Sequence, residues 1–340
     1  MCGEAYNLQK KRLYLVIATV SVILVTTVLW TCVLTANARS GNGKDGNRTV
    51  ESTCEEVCNI LLLGMDDSAG LCDVMMILHV DFGAESVSIA QIPRDTYARF
   101  TESSYKKLNG AYTSLGGADK TAEFLGRALG IDIHHYVCVG LDTLGAIVDA
   151  VGGVDVDVPR NMYYNDPYQG LYIDIKAGKN HLDGEAAQKF VRYRAGYADG
   201  DLGRIDAQKL FLASFLKKLS DEYSPALAAR LALAADGVET DMSVNDIISI
   251  GSRAMDFSKR NMLMLTLPGK EAIAKKSGAS YYVLSYESCA EVTASYFGRK
   301  RDFDAKGDFL NGDYQSFVDI YESKVEYSPI SVYDLVSDDT

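Results

Sequence analysis

Arg192-Tyr193-Arg194 sets two guanidinium groups two residues apart, with Val191 and Tyr193 alternating between them, so an extended backbone here turns both arginines to one face. Two fixed cations on one side invite an anion. In the segment that follows, Asp201, Arg204 and Gln208 recur at i, i+3 and i+7, a single stripe of a helix that can extend the same site. Arginine suits phosphate oxygens because its planar fork donates two parallel hydrogen bonds and keeps its charge when partly buried. Three arginines beside a glutamine amide therefore make a pyrophosphate cradle. Taken alone, the same residues also read as a solvated ion-pair face.

Carboxylates stand at the ends of apolar runs. Gly64-Met65-Asp66-Asp67 closes one run, and Asp73 opens the next. Asp66 and Asp73 are candidate Mg²⁺ ligands, since that ion takes one or two carboxylates and completes its shell with phosphate oxygens and water. The plain alternative is a pair of turn-forming aspartates. Ile92-Pro93-Arg94-Asp95-Thr96 places Arg94 and Asp95 after a third apolar run, where open α/β sheets bind ligands, and Lys107 in Lys107-Leu108-Asn109-Gly110-Ala111-Tyr112 adds a further cation. No residue stands out as general base. Asp95 and Asp201 could serve, or could only orient an arginine.

The elements that must position these groups follow from periodicity. Asn59 to Gly64, Val74 to Val80 and Val87 to Ile92 are short continuous apolar runs, as expected of strands buried on both faces. Helical spacing over 119–129 and 143–151 alternates with extended segments at 135–139 and 154–158, the last (VDVDV) in strict period two. The clearest amphipathic helix is 201–219, with Leu202, Ile205, Leu212, Phe215, Leu216 and Leu219 able to face a core. Residues 222–258 read as helical too, and strands near 262–267 and 280–284 are expected to complete the same sheet. No linker interrupts this pattern, so it predicts one α/β domain with a helix-covered sheet.

With 340 residues, 47% of them apolar and 24% charged, the chain can bury one substantial core. Its formal net charge of −12 argues against sequence-independent nucleic-acid binding, which depends on Lys and Arg neutralising phosphates. Lys10, Lys11 and Arg12 precede 24 residues, Leu13 to Ala36, without a charge. About 20 apolar residues cross a bilayer core, and flanking basic residues stay inside. The sequence thus predicts residues 1–12 in the cytoplasm, an anchor at 13–36, a polar linker at 37–53 and an extracellular body from residue 54, in a single-pass protein of the cell membrane. Ala36-Asn37-Ala38 resembles a signal-peptide cleavage site, but the apolar run is long for a signal sequence. Cys54, Cys58, Cys72, Cys138 and Cys289 fall outside the membrane as buried or paired thiols, and no zinc spacing is completed. From residue 301 the chain is acidic and aromatic, a tail that either packs on the domain or extends from it.

In order, NILLLGMD, DVMM, QIPRDTY, KLNGAY, VGGVDVDVP, HLDGEAAQKFVRYR and DLGRIDAQKLFL resemble the successive blocks of the LytR-CpsA-Psr family of cell-envelope phosphotransferases, over about residues 58–285. The resemblance implies a single domain at 54–300 with a central mixed sheet covered by helices on both faces. It implies Mg²⁺-dependent transfer of a phosphoglycan, such as a teichoic acid or capsular polymer, from a polyprenyl-pyrophosphate carrier to a hydroxyl of peptidoglycan. By position, Asp66 and Asp73 match the family's metal-associated aspartates. Arg94, Arg192, Arg194, Arg204 and Gln208 match the pyrophosphate-contacting set, with Lys107 and Asp201 in support. Leu71 stands where many members carry an arginine, and Gln91 where serine is usual. The alternatives are a hydrolase of the lipid pyrophosphate and a non-catalytic binding or regulatory protein of the envelope.

Overall fold

The computed structural model describes residues 56–337, apart from 67–69, 100–105, 169, 198–199, 223, 276, 303–313 and parts of 244–256. The expected anchor and linker, and Cys54, lie outside the described residues. Among the described residues no helix is long and apolar enough to cross a membrane.

Strands β1 (Val57–Asp66), β2 (Leu71–Asp81) and β3 (Ser86–Gln91) are followed by helices α1 (Ala111–Leu115) and α2 (Ala118–Leu129). Next come β4 (His135–Gly140), α3 (Leu141–Ala150) and four short strands, β5 (Val154–Val158), β6 (Met162–Asp166), β7 (Leu171–Ile175) and β8 (Gly178–Leu182). Helices α4 (Gly184–Arg192), α5 (Asp201–Glu222) and α6 (Pro225–Ala234) lead to β9 (Glu239–Thr240), β10 (Met262–Thr266), β11 (Gly269–Ile273) and β12 (Ser280–Leu284). The chain closes with α7 (Tyr286–Tyr296), α8 (Tyr314–Tyr321), β13 (Ile330–Ser331) and α9 (Val332–Val336).

Seven strands form one sheet in the order β13-β10-β3-β2-β1-β4-β9. It is mixed: β1 runs parallel to β4 and β3 parallel to β10, while β2 is antiparallel to both its neighbours. Period-two alternation divides the strand side chains between two cores. Ile60, Met76 and Leu78 face residues of α3 to α6 such as Ile147, Phe190, Phe215 and Leu231. Leu61, Leu63, Met75 and Ile77 face residues of α2, α7 and α8 such as Leu125, Val292 and Phe317. Continuous apolar runs such as ILLL are what a sheet covered on both sides requires.

Two expectations are revised and one left open is decided. Strand β12 does not join the main sheet: it pairs with β11 in a separate hairpin, and the edge beyond β10 is taken by β13 from the end of the chain. The helical stretch expected over 222–258 breaks after Ala234, where Gly237 takes a left-handed φ of 101° and the chain passes through β9 before turning helical again at Asp246. The acidic C-terminal segment packs where it is described, burying Phe317, Tyr321 and Val332. Cys58, Cys72, Cys138 and Cys289 are buried.

Candidate active site at the mouth of an apolar cavity

Asp73 owes its position to a break in register. Gly64 pairs with Val74 and Met65 with Cys72, which leaves Asp73 as an extra residue on β2 with no partner on β1. A bulge of this kind re-aims a side chain. Here the carboxylate meets two arginines: Asp73 Oδ1 accepts from Arg94 Nη1 at 2.6 Å, and Oδ2 lies 4.0 Å from Arg204 Nη1.

Arg94 and Asp95 sit in the loop after β3, and that loop is pinned from two sides. Thr96 Oγ1 donates to Pro93 O at 2.6 Å. Tyr282 N donates to Asp95 O and Tyr97 N to Tyr282 O, so the β11–β12 hairpin braces this loop from outside the main sheet. Leu108 N and Asn109 N bond the carbonyls of Thr96 and Arg94, which brings Lys107 Nζ to 3.1 Å from Asp95 Oδ2.

The first turns of α5 supply the remainder. Asp201 Oδ1 lies 2.9 Å from Arg204 Nη2 and 3.3 Å from Arg94 Nε. Arg94, Lys107 and Arg204 thus face Asp73, Asp95 and Asp201, three cations against three carboxylates. Burial works against the charge on Arg94, but Asp201 and Asp73 outweigh it and hold the guanidinium more firmly protonated than usual. Arg204, with a side chain only 4% exposed, is shifted the other way: burial lowers its proton affinity, Asp201 opposes this, and the fields of Arg94 and Arg194 add to the lowering. Five buried polar atoms here have no hydrogen-bond partner: Gln91 Oε1, Arg94 Nε, Arg204 Nε and both carboxylate oxygens of Asp201, whose arginine contacts are close but poorly aligned. Unpaired buried donors and acceptors cost stability unless something fills them, which marks the cluster as built for a polar ligand.

Helix α5 also joins this polar cluster to an apolar cavity. Its stripe runs Asp201, Arg204, Gln208 and then Phe211, Leu212 and Phe215, and the last four of these six line a cavity of about 190 Å³ between α3, α5 and the sheet. Leu62, Val139, Leu144 and Ile147 form the opposite wall, while Asp73, Arg192 and Gln208 are its polar lining. Gln208 is held from both ends of its amide, accepting from Gln91 Nε2 at 2.6 Å and donating to Val191 O at 3.1 Å. The cavity walls were not legible in sequence, although the continuation of one stripe from Arg204 to Phe215 carries the signal. Gln91 registered only as an unusual residue.

The two tandem arginines are arranged differently from the expectation. Arg192 is the last residue of α4 and the chain becomes extended at Tyr193, so the pair does not project from one strand face. Val191 and Tyr193 are buried, Arg192 lines the cavity, and Arg194 is exposed and acts on the cluster through its field on Arg204. Asp66 ends β1 across the hairpin from Leu71, half-buried, two positions short of Asp73 on the neighbouring strand. Among the described residues no group of three or more His, Cys, Asp or Glu is arranged to hold a metal ion. The donor set fits only an ion that draws most of its ligands from substrate and water.

A mixed α/β sheet with an arginine-carboxylate cluster at the mouth of an apolar cavity defines a protein suited to an amphiphile with a phosphorylated head. The LytR_cpsA_psr family model matches residues 29–297, and the chain belongs to that family. It is 29% identical over 252 residues to the polyisoprenyl-teichoic acid–peptidoglycan teichoic acid transferase TagV of Bacillus subtilis (strain 168), covering 71% of this chain and 64% of that relative. To the probable cell wall biosynthesis protein LcpB of Corynebacterium glutamicum it is 36% identical over 171 residues, 50% of this chain and 40% of that one. The crystal structure of B. subtilis TagV superposes with a TM-score of 0.62 at 27% identity, covering 72% of this chain and 97% of that one. A structure of TagT bound to LIIa-WTA shares the fold, with a TM-score of 0.59 at 22% identity over 77% of this chain and 97% of that one.

Proposed function

We propose that this protein transfers a phosphoglycan, of the teichoic acid or capsular type, from a polyprenyl-pyrophosphate carrier to a hydroxyl of peptidoglycan, outside the cell membrane to which residues 13–36 anchor it. The observation that carries this reading is the continuity of the buried ion cluster with the apolar cavity along one helix. A pyrophosphate among Arg94, Arg192 and Arg204 would leave its lipid tail facing Phe211, Leu212 and Phe215. The relatives named as teichoic acid transferases support the same reading.

In this scheme the acceptor hydroxyl oxygen attacks the glycan-side phosphorus, the bond to the bridging oxygen breaks, and polyprenyl phosphate leaves, with the hydroxyl proton passing to the departing phosphate or to solvent. Phosphoryl transfer of this type needs positioning and charge neutralisation more than a covalent nucleophile. Arg94 and Arg204 offer unfilled Nε–H donors, Arg192 and Gln208 mark the boundary between head and chain, and Lys107 and Asp201 hold Asp95 and the arginines in place. Arg194 adds positive potential at the entrance. Mg²⁺ held by Asp66 and Asp73 together with phosphate oxygens would neutralise charge on the leaving group. Asp73 would then exchange part of its contact with Arg94 for the ion, freeing that guanidinium for phosphate.

The test uses the full-length protein, a short-chain polyprenyl-pyrophosphate glycan, peptidoglycan and Mg²⁺. Unmodified protein should form the linkage, and Arg192→Ala and Asp73→Ala, checked for folding, should each lose roughly 10²–10³ in turnover, the usual cost of removing a charge-stabilising group. Release of free phosphorylated glycan in the presence of acceptor would instead identify a hydrolase, and tight donor binding without turnover a sensor.

A further inference from the structure

After α3 the chain leaves the main sheet to build two ribbons, β5–β8 and β6–β7, and the second has a face that the catalytic scheme does not use. Its register is Met162↔Ile175, Tyr163↔Asp174, Tyr164↔Ile173 and Asn165↔Tyr172. Met162, Ile173 and Ile175 are buried, so alternation turns Tyr163, Asn165, Tyr172 and Asp174 outward. Tyr163 is 62% exposed, Tyr172 49% and Tyr168, in the connecting turn, fully so. Three of the six large exposed apolar or aromatic side chains among the described residues therefore fall within one short hairpin. The rings of Tyr163 and Tyr172 meet edge to face with centroids 6.0 Å apart, and Asp166 Oδ1 accepts from Tyr168 N at 3.0 Å, which fixes the turn.

The chemistry of this face is selective. A tyrosine ring offers a flat apolar surface for the C–H face of a sugar, while its hydroxyl, the Asn165 amide and the Asp174 carboxylate pair with sugar hydroxyls. A lipid surface would call for Lys and Arg against anionic headgroups, or for Leu, Phe and Trp to insert. The ribbon has one basic residue, Lys176, and its Nζ is already 2.6 Å from Asp174.

The ribbon also adjoins the candidate site. Strand β7 rests on α4, the helix that ends in Arg192. Arg160, two residues before β6, holds its guanidinium 5.6 Å from the centre of the Tyr197 ring. That ring packs so closely on Gly203 that a Cβ there would lie 2.5 Å from it, and Gly203 sits between Asp201 and Arg204 in α5.

We propose that the outward face of the β6–β7 ribbon is the docking surface for the acceptor glycan strand, holding it beside the arginine cluster. This rests on the transferase reading and assigns its acceptor side. The experiment takes the full-length protein in detergent and measures co-sedimentation with purified peptidoglycan, binding to soluble glycan-strand fragments, and transfer kinetics. Tyr163→Ala/Tyr172→Ala, whose rings are exposed, should keep the thermal midpoint, lose roughly tenfold in glycan affinity and raise the acceptor KM by a similar factor. The donor KM and kcat at saturating acceptor should not change, and Tyr163→Trp/Tyr172→Trp should restore binding. Glycan binding equal to that of unmodified protein overturns the proposal, as does a loss seen only with anionic phospholipid vesicles. Failure of the transferase reading is visible separately: unmodified protein would then turn over no donor while the tyrosine pair still governed glycan binding.

Discussion

Gln91 shows how one side chain can set the boundary between two environments. It is 2% exposed, at the end of β3, and its amide reaches across to Gln208 on α5. With Gln208 Oε1 satisfied by Gln91 and its Nε2 given to Val191 O, the Gln208 amide is fixed where the polar cluster gives way to the cavity. A serine at this position would be too short to make that contact. Gln91→Leu fills similar volume but strands the Gln208 acceptor, which should cost about 1–3 kcal/mol of stability, read as a lower denaturant midpoint with unchanged slope. An unchanged midpoint would show that the two amides do not depend on each other. Asp201 has a comparable role among the charges: enclosed by Arg94 and Arg204, it is better placed to orient them than to take a proton from an acceptor.

At the scale of elements, α5 does most of the work. Its N-terminal turns carry Asp201, Arg204 and Gln208, and its next two turns carry Phe211, Leu212 and Phe215, so the 3.6-residue period sets polar groups and apolar cavity walls on one stripe. Leu212, partly buried against the core, can be altered with less harm to the fold than its fully buried neighbours. Leu212→Ser should weaken binding of a long-chain polyprenyl-pyrophosphate by about 1–2 kcal/mol, roughly 5- to 30-fold in Kd, and leave a water-soluble pyrophosphate unaffected. Equal weakening of both ligands would place the lipid chain elsewhere.

For the molecule as a whole, the two-sided burial of the sheet creates a polar liability at its centre. His79 on β2 is 5% exposed, and its Nδ1 lies 2.6 Å from Asn59 Oδ1 on β1, whose own N–H donates to His134 Nδ1 at 2.9 Å. Burial lowers the His79 pKa from 6.5 to about 4, against the opposing pull of Asp81. A depressed folded-state value means that the unfolded chain binds the proton first. The stability is therefore present above about pH 6.5 and is lost as pH falls toward 4, amounting to about 2 kcal/mol by pH 5. Chemical denaturation at pH 7 and pH 5 should record this loss, and His79→Gln should flatten it. An equal acid loss in the variant would assign the effect to other groups.

The sequence by itself determined a large share of this protein. The apolar runs of β1, β2 and β3, the VDVDV alternation and the stripe of α5 are local patterns imposed by backbone geometry, and they were readable without neighbours. So were the ordered blocks that mark the family and the residue types of the arginine-carboxylate cluster. Tertiary structure alone decided which of these groups meet. Asp73 reaches Arg94 and Arg204 because a bulge shifts its register, and a bulge depends on the partner strand. Arg192 and Arg194 separate because α4 runs through Arg192, where alternation suggested extended chain, with Val191 and Tyr193 both buried in the core beneath. Strand β12 left the sheet because β13, from the far end of the chain, pairs with the edge of β10. The cavity has no local code, since its walls come from α3, α4, α5 and four strands whose spacing exists only once the sheet has formed.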